Sequence, residues 1–307
     1  MNYIESEIKR ALNKTINRKI EKELNQKLAL PIGIGAAAVV IATAVLSESE
    51  AERNSLEYAR YDIDGHGKAA DNVRLCFLSD LHEKKFGENN CELLDFIDKA
   101  DPDVVLIGGD MAIAGNRNPE RNRTAVTLSL CRELAGRYPV FYGNGNHEQR
   151  LTNGDFRESL EKTGVVYLSN ETADWKYNIS ITGLNLSTDQ YKPLFPDEPD
   201  KAFIESRIGH LNPDRYNILL AHSPLFIKNY AVTGADLVLS GHFHGGTIQL
   251  PGEVGLMTPQ YQFFNTNVVG KRHCKDTDMV ISGGLGTHSV NLRLNNKPQV
   301  VVVDIKK

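Results

Sequence analysis

Five short apolar runs constrain this chain more than any other feature: VRLCFLS (73–79), DVVLIGG (103–109), YPVFYG (138–143), YNILLA (216–221) and DLVLSG (236–241). Each is too short for a stable helix and ends in Gly, Ala or Ser, which is the pattern of a strand buried on both faces. Polar residues follow each run directly: Asp80-Leu81-His82, Asp110, Gly145-Asn146-His147-Glu148, His222 and His242-Phe243-His244. Open α/β sheets place ligand sites outside the carboxyl ends of their strands, so five separate segments are expected to deliver these groups to one rim. Five of the nine histidines lie in the segments. Two aspartates, an asparagine carbonyl and several imidazoles form an oxygen and nitrogen donor set that suits Mn, Fe or Zn without a thiolate.

Stretches of helical periodicity, such as ENNCELLDFIDKA (88–100) and LSLCRELAGR (128–137), separate the first three runs and predict βαβ winding with a parallel sheet. NISITGLN (178–185), GTIQL (246–250), MVISGG (279–284) and QVVVVDI (299–305) have few helical stretches between them, which predicts a second, more mixed sheet packed on the first. Any one motif alone would be a capped turn or a chance loop; all five in this order are not.

Taken together the motifs resemble the calcineurin-like metallophosphoesterase superfamily, over about residues 73–305. GLMTPQYQFF (255–264) and MVISGGLG (279–286) look like the C-terminal part of its membrane-anchored bacterial members. The resemblance implies a four-layer αββα sandwich of two mixed sheets flanked by helices. It implies two divalent metal ions, one held by Asp80, His82 and His244, the other by Asn146, His222 and His242, with Asp110 bridging them. His147 would contact the scissile phosphate and protonate the leaving oxygen or stabilise its charge, while a metal-bridging hydroxide attacks in line without a covalent intermediate. The implied activity is hydrolysis of phosphodiester or related phosphate bonds. The alternatives are a pyrophosphatase acting on nucleotide-linked lipid precursors and a non-catalytic envelope scaffold. Glu148 and Phe243 depart from the residues common in relatives, at positions that supply no ligand.

The first 28 residues carry seven Lys or Arg against four Glu. Leu28 to Ser47 then contain no charge at all, and twenty helical residues span about 30 Å, the thickness of a bilayer core. The expected organisation is a basic amphipathic cytoplasmic leader (1–28), a transmembrane helix (29–47), a polar stalk (48–72) and a catalytic domain (73–307). A buried core helix and a cleaved signal peptide are the alternatives for the uncharged stretch. The basic excess before the span places the N-terminus in the cytoplasm and the catalytic domain outside, where envelope lipid or cell-wall phosphates would be the substrates. With a formal net charge of -4 the chain has no basic footprint for nucleic acid.

Substrate choice is expected to rest on loops. Leu186–Pro199 reads as a lid or a plain surface loop, and Met257–Phe264 as a lipid- or sugar-facing wall or a core edge. Trp175 reads as core, His66 as turn chemistry, and His210, His273 and His288 lie outside the motifs. Cys76, Cys91, Cys131 and Cys274 show no Cys-x-x-Cys spacing, so no pairing follows from sequence.

Overall fold

The computed structural model describes residue 18 and residues 39–115, 118–151, 155–287 and 290–307. The chain divides into two compact units, Met1–Glu48 and Ser49–Lys307. Helix α1 occupies residues 39–53.

In the larger unit the period-2 alternation of the strands decides everything that follows. One six-stranded sheet runs in the order β1 (Glu57–Asp64), β15 (Gln299–Lys306), β2 (Val73–Leu78), β3 (Val104–Ile107), β4 (Val140–Gly143), β5 (Val166–Leu168). The other runs β13 (Gly270–Cys274), β14 (Thr277–Ile281), β9 (Leu237–Ser240), β8 (Tyr216–Ala221), β7 (Ile179–Leu184), β6 (Glu171–Trp175). Leu75, Phe77, Val104 and Leu106 of the first sheet share one buried core with Ile218, Leu220, Leu237 and Leu239 of the second. The alternate residues Cys76, Leu78, Val105 and Ile107 face the opposite way, onto Leu93 and Ile97 of α2 (Cys91–Ala100) and Leu130 and Leu134 of α3 (Ala125–Ala135). Helix α4 (Asp155–Glu161) adds Phe156 and Leu160 to that layer. On the far side Leu219, Ala221 and Val238 pack with Ile204 of α5 (Lys201–Ile208) and Tyr230 of α6 (Ile227–Ala231). Each such side chain is worth about 1.5–3 kcal/mol of burial, so both faces of both sheets are fixed, and the expected αββα layering results.

Three expectations need correction. QVVVVDI does not join the second sheet: β15 lies between β1 and β2, antiparallel to β2 and parallel to β1. Its alternate valines serve two cores, Val300 and Val302 on the helix side and Val301 and Val303 between the sheets. GTIQL contributes only β10 (Gln249–Leu250), in a small sheet with β11 (Val254–Met257) and β12 (Phe263–Asn265). Residues 48–72 are not a free stalk. Strand β1 pairs with β15 over eight residues, with Ala59, Tyr61 and Ile63 turned to the inter-sheet core; charges at the intervening positions had hidden the alternation. The end of α1 is fastened as well. Ser49 Oγ accepts from the Arg293 N–H at 2.9 Å, and Glu52 accepts from the N–H groups of Asn295 and Asn296, each at 2.9 Å.

Most of the expected transmembrane segment, 29–38, lies outside the described residues, as does nearly all of the leader. Among the described residues no helix is long and apolar enough to cross a membrane. Residues 39–48 are helical, and Val39, Val40, Ile41 and Leu46 are exposed there.

Candidate metal centre

The chain leaves β2, β3 and β9 in tight turns rather than in continued strand. Asp80, His82, Asp110, His242 and His244 all have left-handed backbone, with φ of 55°, 47°, 52°, 72° and 49°. Each such non-glycine residue costs about 1–3 kcal/mol and persists only where its surroundings overdetermine it. Here the turns hold one another: Asp80 N–H donates to Gly109 O at 2.9 Å, and His82 N–H to Asp110 O at 3.1 Å. The motif glycines make room for the carboxylates. A Cβ on Gly145 would stand 2.1 Å from Asp110 Oδ1, and one on Gly241 would stand 2.2 Å from Asp80 Oδ2.

Seven of the eight expected site residues gather into three overlapping groups: Asp80, His82 and His244; His82, Asp110 and His147; Asp110, His222 and His242. Within each group the potential ligand atoms lie within 4.8 Å of one another, and all seven residues are buried. The eighth, Asn146, is placed beside the third group. Its amide oxygen faces His242 Nδ1 at 3.1 Å and Asp110 Oδ2 at 3.2 Å, while its nitrogen faces the Arg150 guanidinium at 2.8 Å. An oxygen set against two acceptors is unfavourable unless a cation lies among them, in which case the oxygen is satisfied and only the amide nitrogen, facing the guanidinium, is not.

The histidines point the same way. A carbonyl only accepts, so His222 Nδ1 donates to Gly108 O at 2.7 Å and His244 Nδ1 donates to Gly286 O at 3.1 Å. The Nε2 lone pairs of the neutral rings are thereby turned inward, as metal-ligating histidines require. His222 Nε2 lies 3.1 Å from Asp110 Oδ2 and 3.7 Å from Asp80 Oδ1 and makes no aligned hydrogen bond to either. His244 Nε2 lies 3.3 Å from Asp80 Oδ1 and 3.1 Å from His82 Nε2. These residues fit a pair of divalent ions. His147 differs: Ala114 N–H donates to its Nδ1 at 3.1 Å, which leaves the proton on Nε2. That tautomer has no Nε2 lone pair for a metal; it is a donor.

The electrostatics call for positive charge. Burial pushes the Asp80 carboxyl up. Burial acts on Asp110 in the same sense, but a positive charge on the adjacent His222 holds it well below the usual carboxylate range. Burial lowers the His222 imidazole, and Asp110 and Asp80 overcome this and push it up to about 10.

Sequence reasoning missed the residues that brace the site. Glu148 supplies no ligand but accepts from the N–H groups of Asp110 (2.7 Å), Met111 (3.0 Å), Ala112 (3.1 Å) and Gly145 (2.9 Å) and from Tyr142 Oη (2.9 Å). It ties the turn carrying Asp110 to the turn carrying Asn146. Arg293, fully buried, donates to the carbonyls of Gly283, Gly284 and Gly286, the last of which orients His244. Asn296 Nδ2 donates to His244 O at 2.7 Å, and Gln260 Oε1 lies 3.2 Å from His242 Nε2. No motif announces Arg293 or Asn296, because the groups through which they reach the site, Gly286 O and His244 O, are backbone carbonyls.

Two cavities meet at the centre, and His244 and Pro259 line both. The larger, about 300 Å³, is lined by Asp110, Asn146, Gln149, Arg150, Thr188 and Tyr191 among others. Tyr191, on the 186–199 loop, is half-buried with its hydroxyl inaccessible and its ring 5.0 Å from that of His242, so this part of the loop is a wall of the site, while Phe195 is exposed. Trp175 packs edge-on to Phe141 as core. His66 occupies a turn at φ 53°, His210 lies 3.1 Å from Glu205, and His273 lies 2.9 Å from Asp278. His288 lies outside the described residues. All four cysteines are free, with Cys76 and Cys131 buried.

Comparison with known proteins agrees with this geometry. A family model for calcineurin-like phosphoesterases matches residues 73–246, more than half of the chain. The uncharacterized protein YpbG of Bacillus subtilis is 26% identical over 287 residues, 91% of this chain and 98% of YpbG. The uncharacterized metallophosphoesterase YkoQ of the same organism is 28% identical over 240 residues, 76% of this chain and 83% of YkoQ. The phosphodiesterase YaeI of Escherichia coli is 26% identical over 245 residues, 76% of this chain and 82% of YaeI. With its strand-end ligands assembled and its sequence matched over both motif-bearing halves, the chain belongs to the calcineurin-like phosphoesterase family and is a metal-dependent phosphoric ester hydrolase.

Proposed function

We propose that the chain is a membrane-tethered phosphodiesterase with a two-metal centre. Asp80, His82 and His244 would hold one ion, Asn146, His222 and His242 the other, and Asp110 would serve both. Mn, Fe and Zn all suit this donor set. Two divalent ions, when bound, neutralise phosphoryl oxygens and lower the pKa of water. The observation that carries the reading is the His147 tautomer: an Nε2–H fixed by the Ala114 N–H beside a cluster of carboxylates and lone pairs.

Water attacks phosphorus in line, the bond to the leaving oxygen breaks, and that oxygen takes the proton released by the water. His147 donates a hydrogen bond from Nε2 to the leaving oxygen as negative charge develops. Complete transfer from this neutral ring would leave an imidazolate, so charge stabilisation is favoured over protonation. Arg150, whose Nε donates to Asn146 O at 2.9 Å, sets a positive charge on the cavity wall for the phosphate. The buried Tyr191 hydroxyl has no hydrogen-bond partner among the described residues, and Tyr191 lines the same cavity, so the hydroxyl is available to a phosphate oxygen. Preference for diesters is supported by two cavities flanking the centre, one for each ester substituent, and by the similarity to the E. coli phosphodiesterase YaeI.

Tethering is supported by the charge-free stretch 28–47, by the seven basic residues before it, and by the exposed Val39, Val40, Ile41 and Leu46. It would hold the site near membrane or wall phosphates on the outer face. The test uses the full chain in mild detergent with Mn, Fe or Zn and aryl phosphate monoesters, diesters and pyrophosphates. Diester turnover exceeding monoester turnover at least tenfold is expected, and the reverse order would overturn the assignment. Resistance to alkaline extraction from membranes, with C-terminal protease sensitivity from outside, is the expected topology result.

A further inference from the structure

We propose that the smaller cavity beside His244 is an apolar subsite for the alkyl chain of an amphiphilic phosphate ester. Three observations lead there. First, the cavity opens from the metal centre itself: His244 and Pro259 line it together with Met257, Tyr261, Val290 and Leu292, in a space of about 140 Å³. Second, the polar groups of its wall are largely engaged within the protein: Thr247 Oγ1 donates to Met257 O, Thr258 Oγ1 accepts from the Gln262 N–H, and Thr287 Oγ1 donates to Asn291 Oδ1. The one formal charge on the wall, Arg293, is fully buried, with Nη2 donating to the carbonyls of Gly283, Gly284 and Gly286 and Nη1 to Asn296 and the Lys297 carbonyl. The lining residues Tyr261 and Val290 remain 56% and 49% exposed, and Phe263 and Phe264, on the same 257–264 segment as Tyr261, are 61% and 64% exposed, giving the cavity an apolar rim. Large apolar side chains grouped beside a polar site mark a surface meant for an apolar ligand.

Third, the chain is fastened to this same wall. Ser49 accepts from Arg293, and Glu52 accepts from Asn295 and Asn296, immediately after Val290 and Leu292. The charge-free stretch ends at residue 47, two residues before Ser49. The occupant that matches a phosphate-binding centre on one side, an apolar cavity on the other and attachment next to a charge-free segment is a phosphate ester with a hydrocarbon tail.

The subsite rests on the phosphoesterase reading, and the experiment separates the two. Full-length protein in a fixed amount of mild detergent is assayed with p-nitrophenyl phosphodiesters whose second substituent is methyl, butyl or hexyl, all below their micellar concentrations. A fully buried methylene is worth about fourfold, so kcat/KM is expected to rise at least tenfold from methyl to butyl and then level off. In Leu292→Gln, and in Val290→Gln at a more exposed and structurally safer position, the butyl-to-methyl ratio is expected to fall below threefold. Methyl-, butyl- and hexylphosphonate as inhibitors should show the same trend in wild type without turnover. Failure to hydrolyse any ester, methyl included, would overturn the phosphoesterase reading. Hydrolysis of all three at equal kcat/KM, or an unchanged ratio in both variants, would overturn the subsite alone.

Discussion

The two cavities that share His244 are built from opposite materials. The metal centre draws its side chains from the ends of β2, β3, β4, β8 and β9, on both sheets, and holds five of them at left-handed φ. Backbone groups orient three of its imidazoles, Gly108 O for His222, Gly286 O for His244 and Ala114 N–H for His147, and the Gln260 side chain holds His242. The apolar cavity draws on the small β10–β12 sheet and on residues 290–293, where Met257 and Leu292 are half-buried and Val290 is exposed. The candidate chemistry sits where sheet geometry leaves no freedom, and the proposed selectivity would sit where it does. The contrast implies that substitutions on one side should be catastrophic and on the other graded.

The steepest test is Asp110→Asn. The substitution removes the charge shared by two of the three ligand groups, and loss of several kcal/mol of charge stabilisation corresponds to at least about a thousandfold in kcat. Metal content measured by mass spectrometry should fall with it. Retention of both ions and of activity within tenfold would break the assignment of Asp110 as the common ligand. His147→Ala comes next. Removing one preorganised donor to a developing negative charge costs about 10²–10³ in kcat, and here the metal content should stay at the wild-type value, because the Nε2–H tautomer holds no ion. A parallel loss of metal would place His147 among the ligands instead.

What could be read in the sequence divides along the same line. The candidate metal-binding residues were legible because each follows an apolar run whose strand character is plain, so strand ends and donor types located the rim together. The layered fold was legible for the same reason. The bracing residues were not: Glu148 reads as a neutral variant of its motif until its four backbone donors are seen, and Arg293 works on carbonyls that no side-chain pattern reveals. Strand β1 was misread as stalk because EYARYDID alternates charge with small or aromatic residues, and its partner, β15, lies 242 positions away at the other end of the chain. Pairing so distant leaves no local trace.

Glu148→Gln sharpens the boundary between chemistry and support. Glutamine keeps the volume but offers one oxygen in place of two and turns an NH2 toward N–H donors. At least one of the buried N–H groups of Asp110, Met111, Ala112 and Gly145 would lose its acceptor, at about 1–3 kcal/mol. Denaturant unfolding should show that loss, with kcat down roughly tenfold because the Asp110 and Asn146 turns are no longer tied together. An unchanged stability would mean that Glu148 is held protonated and already acts as an amide would.

The smallest effect is expected for Met257→Leu, and its smallness is informative. Met257 ends β11, pairs with Phe263 across the small sheet and turns its thioether toward the apolar cavity without a polar duty. Methionine and leucine differ little in volume, and such exchanges usually cost less than about 1.5 kcal/mol even in tight cores. A half-buried wall should therefore keep its stability within about 1 kcal/mol and its methyl-diester kcat/KM within about twofold. Leucine is branched and stiffer, so the butyl-to-methyl ratio should shift, by less than about threefold, as the tail meets a different surface. The same conservatism applied to Asp80→Glu has no room to succeed: Gly241 and Gly284 are packed against the Asp80 side chain, and a Cβ on Gly241 would already stand 2.2 Å from its oxygen. If Met257→Leu proved as damaging to the methyl diester as a change at Asp80, the apolar wall would be part of the reacting centre and the division between the two cavities would fall.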